Sequence, residues 1–164
     1  MTRFLLVVCV VAGLGQMAVA QVSPVVKLHA FRREIVPGAK LEGEREKTYR
    51  YYLYIETKPG VNFQVKEVWM NYRKQQFTTA VHKSPVKMEN PVIYSEAEKN
   101  IAVPATKNKV MEIIMEGDME GKTPGKDIAS LLSQNKALIR LTYQGKTINV
   151  PVKEFKERDP MFMQ

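Results

Sequence analysis

The chain has little of what most catalytic and metal sites are made from. Its only cysteine is Cys9, its histidines are His29 and His82, and its aspartates are Asp118, Asp127 and Asp159. Cys9 lies inside an apolar run, Phe4 to Leu14, with Arg3 before it and Ala18-Val19-Ala20 after it. A basic start, a short apolar stretch and a small-x-small site mark residues 1–20 as a cleavable secretory signal, with Gln21 the expected first mature residue. Gly13, Gly15 and Gln16 interrupt the run short of the roughly 17–25 apolar residues that span a bilayer, so no stable membrane anchor is expected after cleavage.

Losing the signal removes the cysteine, which excludes disulfides and thiolate chemistry from the mature chain. Small secreted animal domains usually depend on disulfides, and no asparagine here opens an Asn-x-Ser/Thr acceptor. These absences point to a bacterial envelope, periplasmic or secreted. Cleavage takes Arg3 from the 25 basic residues and none of the 17 acidic ones, leaving 144 residues with a charge of +7. That length suits one self-sufficient domain. The basic residues are scattered and mostly alternate with apolar ones, which suits a solvated surface with at most weak affinity for polyanions and no specific nucleic-acid binding.

What is present is strand pattern. Ala137–Tyr143, Gln144-Gly145 and Lys146–Val152 read as a hairpin with a two-residue turn. Its register sets Tyr143 opposite Lys146, Leu141 opposite Ile148, Ile139 opposite Val150 and Ala137 opposite Val152, gathering one apolar face. A slip by one residue would bury the polar set instead. Pro151 then falls at a non-hydrogen-bonded position, which makes the second strand an edge strand or places a bulge in it.

Thr48–Thr57 is a second strand, with Tyr49, Tyr51, Leu53 and Ile55 on one face and Arg50, Tyr52, Tyr54 and Glu56 on the other. A Lys58-Pro59-Gly60 turn ends it. Beyond the turn, Val61, Phe63 and Val65 alternate, and Val68, Met70 and Tyr72 then take the opposite phase, so a bulge is expected near Lys66-Glu67. Val26, Leu28 and Ala30 similarly give way to Phe31 and Ile35 before Pro37-Gly38. Phe77, Thr79 and Val81 form a shorter strand, and Met111, Ile113 and Met115 another. Asp127 as a cap for Ile128, Leu131 and Leu132 predicts the one short helix. Residues 39–47, 83–104 and 117–126 read as loops and crossovers, and a tail is expected from about residue 157.

Seven or eight strands of this kind predict an all-β domain over residues 21–164, an immunoglobulin-like β-sandwich, with a small β-barrel as the alternative. The Cys-Trp-Cys core of true immunoglobulin domains is missing, because Trp69 stands alone. No nucleophile elbow, phosphate loop or zinc motif occurs, so the chain is expected to be no enzyme and to need no cofactor or metal. Both histidines read as partly exposed strand residues. Gly117–Gly121 has too few oxygen ligands for calcium. Met111 and Met115 share a strand face but stand about 13 Å apart, too far for one soft-metal site.

One surface has the composition of a contact site. Arg50, Tyr52 and Tyr54 share the second face of Thr48–Thr57, where rigid amphipathic rings beside a guanidinium suit a protein or glycan partner. The expected role is an exported, non-catalytic binding or scaffolding module of the cell envelope that works through a sheet face or edge. The alternatives are a small outer-membrane barrel and a weak metal or ligand carrier using His29, His82 or the methionines.

Overall fold

The computed structural model describes residues 23–37, 47–88, 100–119 and 122–162. The expected signal, residues 1–20, lies outside them, as do Gly38 of the Pro37-Gly38 turn and residues 39–46 and 89–99 of the expected loops. The fold is all-β. Its elements are β1 (Val25–Val36), β2 (Thr48–Thr57), β3 (Gln64–Met70), β4 (Arg73–His82), β5 (Val86–Lys87), β6 (Ile101–Val103), β7 (Lys109–Asp118), α1 (Lys126–Leu132), β8 (Ala137–Tyr143), β9 (Lys146–Val152) and β10 (Lys156–Phe162). Eight strands make one curled sheet in the order β10-β1-β2-β7-β4-β3-β8-β9, and β5 pairs with β6 in a small second sheet. Every neighbouring pair in the main sheet is antiparallel except β1 and β10.

The two ends of the main sheet are joined by the three residues Lys153-Glu154-Phe155 between β9 and β10. So short a link brings the outermost strands together and forces the sheet to curl, giving the layering of a sandwich or half-barrel. The inner face carries the main core: Leu53 and Ile55 from β2, Val65 and Val68 from β3, Ile113 from β7, and Ile139 and Val152 from the last hairpin. The outer face is covered in two places. Segment β5–β6 packs Val86, Met88, Ala102 and Val103 on Phe31, Tyr54 and Val110, while α1 packs Ile128 and Leu132 on Trp69 and Leu138.

The β8–β9 hairpin has the expected register from Ala137↔Val152 to Tyr143↔Lys146. Its turn residues Gln144 and Gly145 have φ of 50° and 73°, the left-handed pair of a type I′ turn. β9 is an edge strand, one of the two outcomes that Pro151 allows. The β3 bulge also stands where the phase change demands it: pairing with β8 shifts between Val65 and Glu67, which lets Val65 and Val68 both enter the core.

Three local readings need correction. Tyr72 does not continue β3; it sits with Asn71 in a two-residue turn at φ of 59° and 50°, which leads directly into a longer β4 that starts at Arg73. The expected tail is the strand β10, paired in parallel with β1 from Phe31↔Lys156 to Val36↔Phe162 and anchored by the buried Met161. Its charged residues hide it from a hydrophobic-period reading, since pairing here is through main chain and needs one apolar anchor only. The helix begins earlier than expected, with Gly125 at its cap and Asp127 in its first turn. His29 has the intermediate exposure expected of it, with its imidazole packed against Glu56.

Candidate functional site

β2 and β7 pair only from Leu53↔Ile113 to Thr57↔Lys109. Both strands run further, β2 back to Thr48 and β7 on to Asp118. Over these remaining halves β2 stays on β1, down to Thr48↔Ile35, and β7 stays on β4, up to Asp118↔Gln75. The sheet therefore splits. Inside the split, Tyr51 turns to the core, where its ring meets that of Phe155 at 4.9 Å between centroids. Twisted sheets that wrap a common core separate in this way, each half keeping its own neighbour.

A groove of about 540 Å³ opens at the split, lined by Arg50, Tyr52, His82, Lys83, Lys87 and Ile114, with Tyr54 and Glu112 in its wall. The three residues singled out from sequence are thus together, though they are not equivalent. Arg50 is exposed and Tyr52 half-buried, whereas Tyr54 is 2% exposed and belongs to the core beneath β5–β6. The β5–β6 cover explains the difference: among the described residues it closes over Tyr54, touches Tyr52 at its margin and stops short of Arg50. Tyr54 is a packing residue of the groove wall. The Tyr52 hydroxyl is buried and has no hydrogen-bond partner among the described residues.

Two histidine–glutamate pairs frame the outer face. His82 Nε2 lies 2.7 Å from Glu112 Oε2 at the groove, joining β4 to β7. His29 Nε2 donates to Glu56 Oε1 at 2.6 Å, and Asn108 Nδ2 donates to Glu56 Oε2 at 2.8 Å. Burial opposes ionisation of Glu56, but hydrogen bonds from Asn108, His29 and Thr106 outweigh it and hold the carboxyl below its ordinary value. Sequence spacing hides both pairs. Each joins residues about thirty positions apart, and only strand register brings them within reach. Lys83 and Lys87 enter the site because Ser84, bonded through Oγ to the carbonyl and amide of Thr106, ties both ends of the β5–β6 excursion together.

On the same outer face but beneath α1, Glu67 accepts hydrogen bonds from Lys74 at 2.8 Å, Arg140 at 3.0 Å and Trp69 at 3.1 Å. Desolvation again works against the charge, and these donors outweigh it, lowering the carboxyl below its usual range. Each donor also packs or pairs within the fold, so this cluster reads as structural. A second cavity, about 490 Å³, lies at the seam between β1 and the β9–β10 link and includes Lys27, Lys153, Lys156 and Arg158.

Among the described residues, no three His, Cys, Asp or Glu side chains converge as a metal site, and no helix is long and apolar enough to cross a membrane. Comparison of the chain with protein-family models, with curated proteins and with solved structures gave no match. The functional reading therefore rests on the groove itself.

Proposed function

We propose that this chain is an exported, non-catalytic binding or scaffolding module of the bacterial cell envelope, and that it engages a protein or glycan partner at the β2–β7 groove. The observation that carries the reading is the split in the main sheet, which among the described residues leaves a concavity bearing Arg50, Tyr52, Lys83 and Lys87. Aromatic and guanidinium groups at a concave site supply contact area and directional hydrogen bonds with little ordering cost. The signal-like residues 1–20 and the cysteine-free remainder support an envelope address.

The test uses the mature chain, residues 21–164, immobilised and presented with purified peptidoglycan sacculi and with soluble envelope extract. Arg50→Ala/Tyr52→Ala should lose a retained component while still unfolding cooperatively, with a lower melting temperature because the half-buried Tyr52 ring packs on the outer-face cluster. If that variant is natively folded and retains everything the parent retains, the groove is not the site. Tyr54→Ala is no substitute, because a buried ring is removed along with any contact.

A further inference from the structure

The groove is bordered by strand edges as well as side chains. From Thr48 to Tyr52 on β2, and from Ile114 to Asp118 on β7, where a bulge interrupts the pairing with β4 between Met115 and Gly117, neither strand has a partner across the split among the described residues. An open edge presents N–H and C=O groups that repeat every second residue, about 6.8 Å apart. Only another extended polypeptide repeats the complementary groups at that spacing; a sugar chain does not. The two halves differ in charge. Arg50 stands on the β2 edge with Lys83 and Lys87 across the groove, whereas the β7 half carries Glu116 and Asp118. Glu112 is engaged by His82.

We propose that the split is a strand-addition site, in which an extended acidic segment of a partner protein pairs main chain to main chain with the free Thr48–Tyr52 edge of β2. The proposal rests on the reading of the groove as a binding site and adds the class of ligand and the mode of recognition. Acidic side chains of the added strand meet Arg50, Lys83 and Lys87. A second copy of this chain fits poorly. Its charge of +7 after cleavage opposes self-association, and its outer strands β9 and β10 carry Pro151 and Pro160, which blunt their edges.

The experiment pans phage-displayed random dodecapeptides against the immobilised mature chain, then remakes the enriched peptides with and without N-methylation at alternate residues. Enriched sequences should combine Asp or Glu with β-formers, and N-methylation should weaken binding by more than about tenfold. Arg50→Glu should weaken it similarly while leaving the melting temperature unchanged, and bound peptide should slow amide exchange within Thr48–Tyr52. Failure to enrich any peptide, or binding indifferent to N-methylation or to Arg50→Glu, overturns strand addition. If strand addition fails while Arg50→Ala/Tyr52→Ala still abolishes retention of sacculi or an extract component, the groove remains a binding site with another ligand; if that retention also survives the variant, both readings fall.

Discussion

Asn108 donates to Glu56 at 2.8 Å, tying the chain that leaves the β5–β6 cover to a carboxylate buried in the main sheet. Because hydrogen bonds from Asn108, His29 and Thr106 hold the Glu56 carboxyl below its ordinary value, it ionises more readily folded than unfolded. Its contribution to stability is complete above the unfolded value near 4.5 and is lost as pH falls through the lower folded value. Glu67 has the same sign. Denaturant unfolding should therefore show stability falling as the pH drops below about 5. Glu56→Gln should flatten that fall and lower stability at pH 7; an unchanged pH profile would contradict the assignment.

The last hairpin makes a sharper stability prediction. Ile139 is fully buried opposite Val150, so Ile139→Ala should cost about 2–5 kcal/mol. Thr142, on the other face and half-buried, should tolerate alanine within about 1 kcal/mol. Comparable losses at the two positions would mean that the hairpin faces are reversed.

Tyr72 holds a left-handed conformation in a two-residue turn and is 50% exposed, so its ring gains little from packing there. Such a backbone disfavours a residue with a Cβ by about 1–2 kcal/mol, and Asn-Gly is the preferred pair for this turn type. Tyr72→Gly should raise the stability by about 1 kcal/mol after the added unfolded-state entropy of glycine is allowed for. A loss of stability would show that the ring has a packing role outweighing the backbone term.

Truncation before Lys156 tests whether β10 belongs to the fold. It removes buried Met161 and the Asp159 carbonyl, which accepts from the buried Arg33 guanidinium at 2.8 Å. The expected cost is on the order of 3 kcal/mol or more, read as a shift in the denaturant midpoint. A dispensable tail would leave that midpoint where it was.

Local signals in the sequence determined β1, β2, β3, β7, β8 and β9, part of β4, the β8–β9 register and the β3 bulge, because side-chain alternation and turn chemistry act between near neighbours; they left β5 and β6 within an expected loop and β10 within an expected tail. They also placed Arg50, Tyr52 and Tyr54 on one face of β2. Which of those three meets solvent was decided elsewhere: β5–β6 packs on Tyr54 and stops short of Arg50. The histidine–glutamate pairs, the capture of β10 by β1 and the opening of the sheet between β2 and β7 are likewise tertiary. Each depends on how distant strands are brought side by side when the sheet curls around its core, and alternation along one strand contains no record of its neighbour or of how far their pairing runs.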